Sequence, residues 1–349
     1  MTGQVRFGII GTGVGAGFCA RGFSMMPKDG NAKLVAVTSR REERARAFAD
    51  EWNLKLWYTD YEQMLEEAEI DAVIVNTPHY LHHQMALNAM KAGKHVLVDK
   101  PMAVNLKQAD EMIEEAQKRN VKLGVIFQSR FDPTYVKIKS ATEEGKFGRL
   151  ILGDAIVKWH RTQEYYENSP WRGRWATEGG GALINQAIHT IDLLLWVMGP
   201  PKCLWAQTDT VAHKIEVEDL AAAVIRFRNG ALGVVQGSTA IYPGLPTRLE
   251  IHGTKGTAII EGEILKRWSV EGEEEKVAEA EKTGLKSWAR PELVPATNHS
   301  SLIRDFAQAI LNDREPYVSG VEGRRSLELI RAIYKSNAIQ GRVDFPLEE

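Results

Sequence analysis

Val5-Arg-Phe-Gly-Ile-Ile10 runs straight into Gly11-Thr-Gly-Val-Gly-Ala16, and from Phe18 onward the chain can continue as a helix. A strand, a glycine turn and a helix in that order are the start of a dinucleotide-binding βαβ unit. Gly11 permits the tight turn, Gly13 lets the backbone approach a pyrophosphate, and the small Ala16 allows the helix to lie close on the strand. Thr12 and Val14 belong to the same cradle, and the helix amino end then faces the phosphates. A glycine turn with no ligand is the plain alternative; the flanking elements and Lys100 favour a nucleotide.

Outward from this turn, short β-rich runs alternate with amphipathic stretches. Strands are expected at Val5–Ile10, Lys33–Thr38, Ala72–Asn76, His95–Val98 and Lys122–Ile126, with helices between them. This rhythm predicts a doubly wound α/β domain over residues 1–127. After Gln128 it changes. A helix near Pro133–Glu144, a β run at Leu150–His160, an aromatic loop and a helix at Leu183–Met198 lead into consecutive strands, two of them joined by Asn229-Gly230. That pattern predicts hairpins, and so an α+β second domain over 128–349 with a mostly antiparallel sheet. Its tail is expected to be helical, with Asn298 or Ser300 as N-cap, and the charge run Glu271–Lys282 is expected to be a solvated loop or a fraying helix.

At 349 residues the chain suits two domains. Its 44 lysines and arginines nearly balance 46 aspartates and glutamates, for a formal charge of −2, and both signs are spread along the sequence. No basic stripe exists to track nucleic acid. Cys19 and Cys203 fit neither a disulfide framework nor a metal-ligand spacing, so no metal is expected and a reducing cytoplasm is. With no apolar run near the ~20 residues of a membrane span, and a start without a leader pattern, a soluble, unexported protein is expected.

Two further motifs carry chemistry. Asp99-Lys100-Pro101 closes the apolar run His95-Val-Leu-Val98. Ligands of such sheets lie beyond the strands' carboxyl ends, so Lys100 is released at the cofactor's reactive end. Asn185-Gln-Ala-Ile-His189 offers a second proton-handling group, and on a helix Asn185, His189 and Asp192 at i, i+4 and i+7 share one face. Together Lys100 and His189 suit an alcohol or sugar dehydrogenase in which a nicotinamide removes hydride and the two side chains manage the hydroxyl proton. After the second strand, where an NAD site usually has a carboxylate, the residues are Thr38-Ser39-Arg40-Arg41. Hydroxyls and a guanidinium suit a 2′-phosphate, so NADP is expected over NAD. The plain alternative is that Arg40 and Arg41 open a solvated helix face with Glu42 and Glu43.

Gly11-x-Gly13, Thr77-Pro78-x-x-Leu81-His82, Ala92-Gly93-Lys94-His95-Val96, Asp99-Lys100-Pro101 and Asn185-x-x-x-His189, in this order over nearly the whole chain, resemble the Gfo/Idh/MocA family, the glucose-fructose oxidoreductase and inositol dehydrogenase relatives. The resemblance implies an amino-terminal Rossmann domain, a carboxy-terminal domain whose open sheet mediates dimers or tetramers, and NAD(P)-dependent chemistry on sugars or cyclitols. It also implies that Thr77, Pro78, His82 and Asp99 belong to the cofactor site. Two departures stand out. The family's Glu-Lys-Pro is Asp99-Lys100-Pro101 here, and the aspartate often found four residues before the histidine is Asn185, which can orient a substrate hydroxyl but not take its proton.

For substrate, Gln128 and Arg130 leave the last Rossmann strand, and Trp159, Arg161, Tyr165, Tyr166, Trp171, Arg172 and Trp175 form an aromatic and basic stretch. Aromatic faces suit a sugar ring and arginines suit carboxylates or phosphates; an interface or core patch is the alternative. The same architecture also serves relatives that cleave glycosides through transient oxidation, and noncatalytic nucleotide-binding regulators.

Overall fold

The computed structural model describes residues 3–27, 30–262, 264–273 and 296–347, which fall into two compact units. The first runs to Phe131 and takes up the later segment through Arg324. Its strands and helices alternate: β1 (Val5–Ile10), α1 (Val14–Ser24), β2 (Ala32–Thr38), α2 (Glu42–Glu51), β3 (Leu56–Tyr58), α3 (Tyr61–Glu67), β4 (Ala72–Val75), α4 (His79–Lys91), β5 (His95–Val98), α5 (Leu106–Arg119) and β6 (Leu123–Val125). All six strands are parallel, in the order β3-β2-β1-β4-β5-β6. The order reverses between β1 and β4, so the crevice for a ligand opens beyond their carboxyl ends. Every residue of β4 is buried, as a strand covered on both faces requires. The sequence reading lacks β3, because three residues are too few to display an alternation.

The second unit contains α6 (Pro133–Glu143), β7 (Leu150–Lys158), α7 (Gln163–Glu167), α8 (Trp175–Glu178), a π-helix (Ala182–Ala187), α9 (Ile188–Met198), β8 (Pro201–Asp209), β9 (Leu220–Phe227), β10 (Leu232–Ser238), β11 (Arg248–Gly253), β12 (Gly256–Glu261) and β13 (Ile264–Val270). With β14 (Val343–Asp344) they form an eight-stranded sheet, β13-β12-β11-β7-β10-β9-β8-β14. It is antiparallel except where β10 lies parallel to β7. The Asn229-Gly230 hairpin joins β9 to β10 as expected, with Gly230 at φ +89°. Burial along β9 alternates strictly. Ala221, Ala223, Ile225 and Phe227 face inward, while Leu220 and Val224, with Trp205 and Leu232 of the neighbouring strands, keep an exposed apolar surface. The run Trp175–Met198 is long and apolar enough to cross a membrane by composition, which the sequence reading overlooked, but most of it is buried inside this unit.

Two late helices complete the fold, α10 (Thr297–Leu311) and α11 (Gly320–Ile339). The expected division at residue 127 assigns both to the second domain. Instead α10 packs on the first sheet, where Leu302, Ile303 and Phe306 share a core with Phe7 and Ile9 and the rings of Phe7 and Phe306 lie 6.3 Å apart. An amphipathic helix goes where an apolar sheet face is still uncovered, whatever its place in the chain. Neither Asn298 nor Ser300 caps α10, which begins one residue after Ala296. The charge run Glu271–Lys282 extends beyond the described residues.

Candidate active site

In the first unit the candidate residues gather at the carboxyl ends of β1, β4 and β5. Gly11 sits at φ +112°, and a Cβ there would lie 2.2 Å from the carbonyl oxygen of Asn76, so no other residue fits. A Cβ on Gly13 would meet nothing within 4 Å. Gly13 is also the N-cap of α1, with no side-chain cap and no acidic residue in the first turn. The helix therefore presents its amino end, flanked by Thr12 and Val14, to open space that suits a pyrophosphate.

Below this cradle lies a strut that sequence reasoning missed. Asp99 accepts Asn76 Nδ2 at 3.2 Å through Oδ2 and the Lys100 backbone N–H at 2.8 Å through Oδ1. A Cβ on Gly15 would come within 2.7 Å of Asp99 Oδ2 and 2.9 Å of Asn76 Nδ2. Asp99 thus ties the end of β4 to the main chain of Lys100, with Gly15 at the start of α1 packed close against it. A polar residue directly after a fully apolar strand, as Asn76 is, was the available signal.

His82 is fully buried, with Nδ1 2.8 Å from the carbonyl oxygen of Pro101 and Nε2 2.7 Å from that of Thr77. It cross-links the turn of Thr77 and Pro78, which opens α4, to the turn of Lys100; the expectation that it lines the cofactor surface is corrected by that burial. Burial also lowers its pKa. Ser39 follows β2, its Oγ 3.4 Å from the Arg41 N–H. Glu42 pairs with Arg46 rather than with Arg40 or Arg41, and the exposed Arg40 has no ion-pair partner among the described residues. Gln128 stands on the short 3-10 turn Gln128–Phe131 with its Oε1 buried. Arg130, expected to meet substrate, is 2% exposed and paired with Glu322 at 2.8 Å. A guanidinium removed from water needs such a carboxylate, so Arg130 is structural.

In the second unit, residues 179–195 are buried except for Asn185, Gln186 and His189. Asn185 and Gln186 lie on the π-helix and His189 in the first turn of α9. Asn185 and His189 are partly exposed on either side of the junction between the π-helix and α9. The one-face expectation fails for Asp192, which is 1% exposed and accepts Ser326 Oγ at 2.9 Å. Asp192 is withdrawn by its bond to Ser326 of α11, a partner that spacing along the chain does not reveal.

Two buried glutamates brace this segment, and neither is visible as functional in the sequence. Glu178 accepts Asn185 Nδ2 and the Gly173 N–H, each at 2.5 Å. A carboxylate only accepts, so the amide nitrogen of Asn185 must face it. Glu218 accepts the N–H groups of Gly181 and Leu183 at 2.8 and 2.9 Å and Tyr334 Oη at 3.0 Å. It caps the π-helix from within, and burial pushes its pKa up to about 7.

The aromatic stretch is an ordered cluster. Arg172 lies over the rings of Tyr165 and Trp171, at 4.3 and 5.1 Å from the centroids, and Arg161 over Trp159 and Tyr165, at 5.0 and 5.3 Å. Gln186 joins them, accepting from Arg161 Nη2 at 3.1 Å and donating to Tyr165 Oη at 2.8 Å. Tyr166 is buried and bonded to Thr239 Oγ1, so it is core. Away from this cluster, His252 lies with Asp154 and Glu250 on β7 and β11, their ligand atoms within 4.8 Å of one another, a grouping the sequence reading did not anticipate.

Residues 5–127 match the oxidoreductase family with an NAD-binding Rossmann fold, and residues 135–259 match the GFO/IDH/MocA C-terminal domain. The myo-inositol 2-dehydrogenase of Thermotoga maritima is 30% identical over 257 residues, covering 72% of this chain and 74% of that protein. The WlbA dehydrogenase of Bordetella pertussis, solved with NADH and UDP-GlcNAcA, superposes with a TM-score of 0.86 at 31% identity over 99% of both chains. A levoglucosan dehydrogenase solved with NADH and levoglucosan shares the fold, with a TM-score of 0.87 at 23% identity over 99% of this chain and 100% of that one.

Proposed function

We propose that this chain, which belongs to the GFO/IDH/MocA oxidoreductase family, exchanges hydride between a nicotinamide dinucleotide and a hydroxyl-bearing carbon of a sugar, sugar acid, nucleotide sugar or cyclitol. The observation that carries this reading is the cradle at the sheet's switch point. Gly13 opens onto the uncapped start of α1, and the strut beneath it, Asp99, also holds the main chain of Lys100. A dinucleotide, when bound, supplies the hydride acceptor or donor. Gly11, Thr12, Gly13 and Val14 would hold its pyrophosphate, and Thr77 and Pro78 the turn beside it.

Lys100 would donate a hydrogen bond to the reacting oxygen, stabilising alkoxide character in oxidation and polarising a carbonyl in reduction. His189, whose ordinary pKa lies near neutrality, would carry the hydroxyl proton, and Asn185, its nitrogen fixed by Glu178, would orient a neighbouring hydroxyl through Oδ1. The inositol and UDP-GlcNAcA relatives support a polyhydroxylated substrate. The exposed Arg40 beside Ser39 supports NADP over NAD, and the exposed apolar chains of the large sheet support association of copies through that face.

The test is steady-state turnover, read by nicotinamide absorbance, across sugars, sugar acids, inositols and nucleotide sugars with both cofactors. Lys100→Ala and His189→Ala should each lower kcat by ~10²–10⁴-fold while cofactor binding persists. Unchanged rates in both variants would refute the assignment, and cleavage of an aryl glycoside without net nicotinamide reduction would replace the dehydrogenase reading with the glycosidase one.

A further inference from the structure

The geometry points to an anionic substrate: we propose that Arg172, with Arg161 beside it, receives a carboxylate or phosphate group carried by the sugar. This rests on the oxidoreductase reading above and narrows its substrate class. Arg172 is the pivotal residue. Its guanidinium is stacked on Tyr165 and Trp171, its Nε is buried without a hydrogen-bond partner, and among the described residues it has no ion pair. A buried donor left unpaired is costly, and no hydrogen bond among the described residues recovers that cost.

The planar guanidinium carries its N–H groups in one plane, the fork that meets a carboxylate or phosphate in two parallel hydrogen bonds. Arg161 shares the Tyr165 ring with Arg172, which sets the two cations within about one Debye length of each other, ~10 Å. Two like charges sharing one aromatic ring make a cationic patch that favours an anion.

The pair is also wired to the segment that carries the chemistry. Arg161 and Tyr165 both bond Gln186, the neighbour of Asn185. Glu178 joins Asn185 to the N–H of Gly173, the residue after Arg172. Both arginines are therefore held in fixed relation to Asn185 and, through the start of α9, to His189. A charged group on the substrate would set the register of the sugar ring before a hydroxyl is chosen.

The test compares matched pairs on the full-length enzyme: glucose with glucuronate, glucose with glucose 6-phosphate, and UDP-glucose with UDP-glucuronate. Within the pair that fits, the member carrying the additional carboxylate or phosphate should have a kcat/KM about tenfold or more above its partner, the worth of one charge-assisted hydrogen bond. The uronate and phosphate arms separate the two sources of charge. Arg172→Gln should collapse that ratio mainly through KM, and Arg172→Lys should restore only part of it because the fork is lost. A ratio near one, or a ratio unaltered in Arg172→Gln, overturns the proposal. Binding is measured in parallel by thermal shift with the same sugars. If no pair is turned over, the anion site is judged apart from the oxidoreductase reading, by whether an anionic sugar stabilises the wild type and not Arg172→Gln; stabilisation of neither overturns the proposal.

Discussion

Replacing Glu218 by glutamine tests whether burial or hydrogen bonding governs the carboxylate beneath the π-helix. Glu218 is fully buried, accepts two backbone N–H groups and the Tyr334 hydroxyl, and has its pKa raised from the ordinary 4.5 to about 7, burial being the largest cause. Below pH 4.5 the side chain is neutral in both folded and unfolded chains. Between 4.5 and about 7 the folded chain retains a proton that the unfolded chain has released, so stability falls as pH rises through that window. The full loss is about 3 kcal/mol, from 1.36 kcal/mol per pH unit. Glutamine has the shape of the protonated acid and never charges, but its NH2 must replace one of the two oxygens that accept the Gly181 and Leu183 N–H groups, so one backbone donor loses its acceptor at every pH.

Glu218→Gln should therefore carry a pH-independent cost of ~1–3 kcal/mol for that unpaired donor and, relative to the wild type, gain roughly 2–3 kcal/mol between pH 5 and pH 8. Urea unfolding at half-unit steps, followed by tryptophan fluorescence, measures the difference at each pH, so that other titrating groups cancel. Trp175, edge-on to Tyr334 at 5.0 Å, reports from the site itself. A difference constant with pH would refute the burial argument. A wild type that gains on the mutant as pH rises would show that the three donors outweigh desolvation.

Gly15→Ala should weaken nicotinamide nucleotide binding by roughly tenfold or more, because a Cβ 2.7 Å from Asp99 Oδ2 forces the strut apart and moves the start of α1; titration by cofactor fluorescence checks it, and an unchanged Kd would dissociate the strut from the cradle. Ser39→Asp combined with Arg40→Ala should shift preference from NADP towards NAD, since a carboxylate repels a 2′-phosphate and the lost guanidinium no longer pairs with it. The ratio of the two Kd values is the readout, and no fall in relative NADP affinity would remove the preference assigned here.

Much of this protein was legible in one dimension, because its first unit is made of local signals. Apolar runs ending in Gly11, Asn76 and Asp99 announce parallel strands and the edge at which ligands gather, and a glycine turn announces the cradle. Lys100 follows from its place at the end of such a run, and Asn185 and His189 are read as candidates from their helical spacing. What the sequence could not declare depends on partners far along the chain. The return of α10 to the first sheet, the diversion of Arg130 to Glu322 and of Asp192 to Ser326, and the burial of His82 between two carbonyl oxygens are all set by packing across long sequence separations. The carboxylate of Glu218 beneath the π turn, held by Gly181, Leu183 and Tyr334, belongs to the same class. Periodicity reports which face of an element is apolar. Which polar group is withdrawn from water, and who compensates it, is decided only when distant segments compete for the same hydrogen bonds.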